Sequence, residues 1–205
     1  MELTGKNVLV VGLARSGMAA IKVLHRLGAV ITLSESKKKE DIKELPELEK
    51  LGVTVVDQSM QAFEGDYALV VKNPGVPFRS PMMQRLAERN IPVITEIELA
   101  YNVAKPQHYV AITGTNGKTT TSTLVYELLA KAFPGKTHLC GNIGIPLCET
   151  VLENGLMEEG GHYIALEISN FQLVNIDRFR PEAAVILNAS LCGAVVGKTK
   201  AVGEN

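Results

Sequence analysis

Charge of one sign is missing from this chain: 21 Lys and Arg stand against 22 Asp and Glu over 205 residues, a formal net charge of −1. Proteins that bind a phosphate backbone ordinarily carry a basic face or stripe, so the balance argues against nucleic acid as the main partner. Lys37 to Lys39 is the only basic run, and Glu40 and Asp41 follow it at once, as expected of a solvated loop or helix start. Long apolar runs are missing too. No stretch approaches the roughly eighteen residues of a membrane span, and the N-terminus MELTGKNVLVVGLARSG lacks a charged leader with a cleavage site. Neither membrane insertion nor export is expected, and the expected location is cytoplasmic. Cysteine is scarce: Cys140, Cys148 and Cys192 lie at wide spacings, away from His25, His108, His138 and His162. Free thiols, and no zinc site, are the expectation.

What is present is apolar material in alternating blocks. With 46% hydrophobic and 21% charged residues, the chain can fill one large or two small α/β cores. Strands are expected at Val8–Val11, Val30–Leu33, Val53–Val56, Tyr67–Val71 and Pro92–Thr95. Helices are expected at Met18–Leu27, Ile42–Leu51, Pro81–Arg89 and Glu96–Val103. This alternation predicts an N-terminal Rossmann-like parallel-sheet domain over residues 1–105. AKPQ at 104–107 interrupts the pattern and marks the expected boundary. Beyond it, strands at 109–113, 136–140, 162–167 and 183–187 with helices at 118–132 and 146–157 predict a second α/β domain over 106–188. Only about four strands are present there, fewer than a nucleotide-binding sheet normally has. The expected fold class is thus α/β, a Rossmann-like domain followed by a partial P-loop-type ATPase domain. Residues 189–205 are Gly-rich and without a clear period, and read as an aberrant tail.

The most informative segment is YVAITGTNGKTTT at 109–121, an apolar strand emptying into a glycine loop, a lysine and hydroxyls that open a helix. Unpaired amides of Gly114, Thr115, Asn116, Gly117, Lys118 and Thr119 would converge there on an anion, aided by the helix dipole, with Thr120 beside them among the expected ATP-binding residues. The Lys118 ammonium would reach the β and γ phosphates of ATP, and Thr119 would ligate Mg²⁺. The strict eight-residue pattern would need glycine at Ile112, so the motif is the shorter GxxGKT.

A second loop, VVGLARSGMAA, has Gly12, Ala14 and Gly17 after the first strand, with alanine where a dinucleotide fingerprint has its middle glycine. Glu35 follows the second strand, where such folds often hold a ribose hydroxyl. A phosphate or sugar-nucleotide site and a plain close contact of helix and strand both fit these residues. KNPGVP at 72–77 ends another strand, and Asn73 and Gly75 either face the same ligand or shape a surface turn.

With both loops placed, the chain resembles the Mur ligases, ATP-dependent amino-acid-adding enzymes of bacterial peptidoglycan synthesis, from Met1 to about Asn188. The resemblance rests on GLARSG at 12–17, NPGVP at 73–77, TGTNGKTTT at 113–121, GNIG at 141–144, and ALEISNFQL at 165–173 followed by AAVILN. EISNFQL is most similar to the D-glutamate-adding branch. The phosphate loop is also shared with folylpolyglutamate synthases, which lack the N-terminal UDP-type domain. The resemblance implies UDP-N-acetylmuramoyl-L-alanine, D-glutamate and ATP as substrates, with Mg²⁺, in a monomer. It places Arg15, Ser16, Glu35, Asn73 and Gly75 at the UDP end and Asn142 near the sugar-peptide end. Lys118 and Glu167 take the catalytic positions, with Glu167 helping to hold Mg²⁺.

The pattern breaks after Ser190. Leu191, Cys192 and Gly193 follow where the family has a DHxD-like stretch, and Lys198 and Lys200 do not match the family's modified lysine. The expectation is a truncated or frame-shifted ligase with little activity and with apolar strand edges exposed around 163–187. The competing readings are a non-catalytic UDP-sugar or nucleotide-binding module and an NAD-dependent oxidoreductase, the latter disfavoured by Ala14.

Overall fold

A computed structural model describes residues 1–59, 63–77 and 79–189. The break at 190–193 and the lysines beyond it lie outside these residues. Two parallel sheets account for the strands described. The first contains β1 (Asn7–Val11), β2 (Val30–Glu35), β3 (Thr54–Asp57), β4 (Leu69–Lys72) and β5 (Val93–Thr95), in the order β3-β2-β1-β4-β5. The order reverses between β1 and β4, and that switch point is where open α/β sheets form a crevice at their strand ends.

Alternation along β1 explains the two layers. Val8 and Val10 face the cluster built with α1 (Ala14–Arg26) and α4 (Glu96–Val103). Leu9 and Val11 face the opposite way, toward Phe63 and toward Met83 and Leu86 of α3 (Pro81–Glu88). Strands buried on both faces need apolar residues at every position, as VLVV supplies. A short α2 (Leu45–Lys50) precedes β3.

The second sheet comprises β6 (His108–Thr113), β7 (Thr137–Gly141), β8 (Tyr163–Glu167) and β9 (Ala183–Ile186), in the order β7-β8-β6-β9. Helix α5 (Lys118–Ala132) packs against β6, β7 and β8, while α6 (Leu147–Glu153) meets α1 and α4. One apolar cluster therefore runs from Val8 and Ile21 through Leu99 and Val151 to Ile164 and Leu166.

Side chains of β5 and α4 also bond the backbone of the second half. Thr95 Oγ1 donates to the Gln172 carbonyl at 3.3 Å, and Glu96 accepts the N–H of Cys148. Glu98 accepts the N–H groups of Asp177, Arg178 and Phe179 at 3.2, 2.8 and 3.0 Å.

Several boundaries differ from the sequence reading. Helix α1 begins at Ala14 rather than Met18, because the glycine loop turns directly into it. The segment expected as one helix over 42–51 is a 3-10 turn at Lys39–Asp41 followed by α2, with Pro46 starting the latter. Helix α6 stops at Glu153, and Asn170–Leu173 forms a short α7 that the sequence reading did not mark. On α5, Leu124 and Leu128 are 60% and 65% exposed. Apolar exposure expected around 163–187 is found at β9, where Ile186 is 72% exposed, and at Phe171, Leu173 and Val174, whereas β8 lies between β6 and β7 and is largely buried.

Candidate functional site

The loop at 113–118 stands at the C-terminal end of β6, between β8 and β9. Gly114 and Gly117 take φ values of +148° and +83°, which side chains rarely adopt, so glycine is required at both turns. The amides that open α5, from Lys118 onward, have no partner within the helix and lie where the positive end of its dipole is concentrated. Lys118 curls over the loop, its Nζ donating to the carbonyls of Gly114 at 2.8 Å and Thr115 at 3.1 Å. The ammonium is held at the loop, where an anion resting on the helix N-terminus would meet it.

Beside the loop, Glu167 ends β8 and is only 2% exposed. Its Oε2 accepts the Thr119 hydroxyl at 2.9 Å, and its Oε1 accepts Asn142 Nδ2 at 2.7 Å. Ser122 Oγ lies 3.5 Å from the same Oε2. These partners are all neutral, so a buried carboxylate faces the phosphate loop without a compensating cation among them. Such a group suits a divalent cation that keeps most of its water and phosphate ligands and takes one carboxylate from the protein. Among the described residues no cluster of three or more His, Cys, Asp or Glu forms a self-sufficient metal cage.

Asn142 reaches Glu167 from the GNIG turn, which follows β7. Gly141, at φ +106°, brings the strand so close to β8 that a Cβ would sit 2.2 Å from the Glu167 carbonyl oxygen. The backbone N–H of Asn142 donates to that carbonyl at 2.8 Å. Two bonds from one residue thus fix both the main chain and the carboxylate of Glu167. Capping of the following turn falls to Ser169 and Gln172, which form a reciprocal capping box at α7.

The other sequence candidates gather at the crevice of the first sheet. Asn73 Nδ2 donates to Ser16 Oγ at 3.1 Å, and Gly75 N–H donates to Asn73 Oδ1 at 2.9 Å. Gly12 lies below, where a Cβ would come within 3.1 Å of Asn73 Cβ, and Gly17 is so close to the Gly12 carbonyl that a Cβ would be 2.2 Å away. Ala14, in the fingerprint's glycine position, carries φ +22°. Arg15 projects into solvent at the start of α1. Glu35 differs in kind: its carboxylate accepts Leu13 N–H at 2.7 Å, Ser36 N–H at 2.7 Å and Lys37 N–H at 3.1 Å. Burial raises its pKa, but these bonds and one from the Ser36 hydroxyl outweigh that and hold it below the usual range. The carboxylate ties the glycine loop to the end of β2.

Two residues escaped the sequence reading. Lys72 is 2% exposed, and its ammonium donates to the carbonyls of Asn73 at 3.1 Å and Val76 at 2.7 Å, bracing the NPGVP turn from beneath. Burial pushes its pKa down. A lysine ending a run of apolar strand residues was the available signal. Asn188 follows β9, and its Oδ1 accepts the amides of Thr115 and Asn116; these two are therefore engaged within the protein and not free for an anion as expected, through a contact that no local pattern announces.

Comparison with known proteins matches both halves. The family described as "Mur ligase MurD-like, N-terminal domain" covers residues 6–95, and the "Mur ligase middle domain" covers 112–191. The chain belongs to the Mur ligase family. The UDP-N-acetylmuramoylalanine--D-glutamate ligase of Geobacillus sp. (strain WCH70) is 43% identical over 185 residues, which are 89% of this chain and 40% of that protein. The protein of the same name from Enterococcus hirae is 45% identical over 186 residues, 89% of this chain and 39% of its own length. The chain thus spans about 40% of the length of the Mur ligases it matches. In fold it is similar to the UDP-N-acetylmuramate:L-alanyl-gamma-D-glutamyl-meso-diaminopimelate ligase of Neisseria meningitides, with a TM-score of 0.55 at 16% identity over 95% of this chain and 64% of that one.

Proposed function

We propose that this chain supplies the UDP-substrate-binding and ATP-binding parts of a cytoplasmic ligase that adds D-glutamate to UDP-N-acetylmuramoyl-L-alanine in peptidoglycan synthesis. The observation that carries the reading is the meeting of the GTNGKTT loop with the buried Glu167, linked through Thr119 at 2.9 Å. The boundary between the two parts falls near residue 105.

A carboxylate is a poor acyl donor because oxide is a prohibitive leaving group. ATP therefore phosphorylates the L-alanyl carboxylate, the amine of D-glutamate attacks the resulting acyl phosphate, and phosphate departs. Two anions must meet in the first step. The amides opening α5 and Lys118 neutralise charge on the transferring phosphoryl oxygens, so positioning and electrostatics lower the barrier. Mg²⁺ held by Thr119 and Glu167 would supply further positive charge at the phosphates. Asn142 fixes Glu167 and also faces the sugar-peptide end of the substrate. At the first sheet, Ser16, Asn73 and Gly75 would meet the UDP end with the exposed Arg15 reaching it from the start of α1, and Glu35 sets the loop that carries Arg15 and Ser16.

Titration calorimetry with ATP–Mg²⁺ and separately with UDP-N-acetylmuramoyl-L-alanine tests the assignment. Saturable binding of both is the expected result, and absence of ATP binding would reject it. A coupled phosphate-release assay with D-glutamate then separates a ligase from a binding module, which would take up both ligands without turnover.

A further inference from the structure

We infer that Asn188 is a positioning residue for the phosphate loop: its carboxamide locks the peptide groups of Thr115 and Asn116 and so fixes the turn from which the amides opening α5 face an anion. This deepens the nucleotide reading given above and rests on it.

The observation is a two-way bond between a side chain and a loop more than seventy positions earlier in the chain. Asn188 Oδ1 accepts the N–H groups of Thr115 at 3.0 Å and Asn116 at 2.9 Å, and its Nδ2 donates to the Asn116 carbonyl at 3.0 Å. The Asn188 backbone carbonyl lies 3.2 Å from the same Thr115 N–H. Approach is close enough to demand glycine: a Cβ on Gly114 would come within 3.2 Å of the backbone N and O of Asn188.

Orientation follows from what holds each end of these peptides. Lys118 Nζ takes the carbonyls of Gly114 and Thr115, while Asn188 takes the amides of Thr115 and Asn116. Carbonyls are thereby drawn to the ammonium and amides to the carboxamide. Without the second anchor, the 115–116 peptide is free to rotate, the Thr115 carbonyl is lost to Lys118, and the ammonium and the start of α5 lose their fixed position. With it in place, the next amides, at the start of α5, remain aimed at the ligand. Asparagine suits the task because it accepts at one atom and donates from another, whereas the hydroxyl of Ser or Thr does both at a single oxygen.

The test compares Asn188→Ala and Asn188→Asp with the unaltered chain, using amide hydrogen exchange without nucleotide and calorimetry with ATP–Mg²⁺ and UDP-N-acetylmuramoyl-L-alanine. In Asn188→Ala, exchange at Thr115 and Asn116 is expected to rise about tenfold and ATP affinity to fall about tenfold, with the UDP-substrate affinity unchanged. Asn188→Asp keeps the acceptor oxygen and is expected to retain protection at both amides. Wild-type exchange rates in Asn188→Ala would overturn the inference. So would unchanged ATP affinity despite faster exchange, an equal loss of both ligands, or exchange in Asn188→Asp as fast as in the alanine variant. If the unaltered chain takes up no ATP, the nucleotide reading fails, and the exchange rates in the two variants still decide whether Asn188 orients the loop.

Discussion

Glu96, the first residue of α4, accepts the backbone N–H of Cys148, the second residue of α6, and so joins the two halves of the molecule through a buried carboxylate. Its second oxygen is buried and finds no hydrogen-bond partner among the described residues. Burial pushes the carboxyl up to about 7, only partly offset by the bonds from Cys148.

A folded-state pKa above the unfolded value means that the folded chain binds more protons between the two. Stability should therefore fall as pH rises from about 4.5 to about 7 and then level off, with a cost on the order of 3 kcal/mol. Glu96→Gln keeps an acceptor for Cys148 and removes the charge. Thermal melts from pH 4.5 to 8 are expected to show a flatter profile for the variant and a higher melting temperature than the parent at pH 8. Parallel profiles would contradict the assignment.

Glu98 holds the chain at 177–179 with three backbone bonds and also accepts Asn102 Nδ2 at 2.8 Å. Glu98→Ala leaves those amides without their acceptor in a buried site and should cost about 3 kcal/mol. Urea titration measures it. A loss below about 0.5 kcal/mol would mean that water replaces the carboxylate freely.

Removing the loop ammonium tests the nucleotide site. Lys118→Ala deletes charge-assisted bonds worth about 1.5 to 3 kcal/mol, a loss of roughly ten- to a hundredfold in ATP affinity. Calorimetry should register that drop while the UDP-substrate titration stays constant. Unchanged ATP binding would remove Lys118 from the site.

At Gly141 a side chain has no room. Gly141→Ala forces an unfavourable φ and a collision with the Glu167 carbonyl, at a cost of at least about 2 kcal/mol. Since Glu167 moves with the clash, Mg²⁺-dependent nucleotide binding should weaken more than binding measured without the metal. Equal effects with and without Mg²⁺ would show that the carboxylate does not serve the cation.

Much of this fold could be read from the chain because its strands are continuous apolar runs followed by glycine turns, as at Val8–Val11 and Val110–Ile112. The glycine loop after β6 was equally visible, since its two positive-φ turns need glycine at Gly114 and Gly117. Contacts between distant segments were not. Asn188 meets the loop only after β9 pairs with β6, and Glu96 and Glu98 look like exposed helix residues until α6 and residues 177–179 pack on them. Helix α7 was missed although Ser169 and Gln172 carry the spacing of a capping box; its four residues show no apolar period.

The joint made by Thr95, Glu96 and Glu98 engages main-chain atoms on its far side. Main-chain atoms are common to every amino acid, so tolerance to replacement should be lopsided across the seam. In a saturation screen scored by solubility, positions 95, 96 and 98 would accept few alternatives, whereas Asp177 and Arg178 could be exchanged widely, proline aside, while the halves keep their alignment.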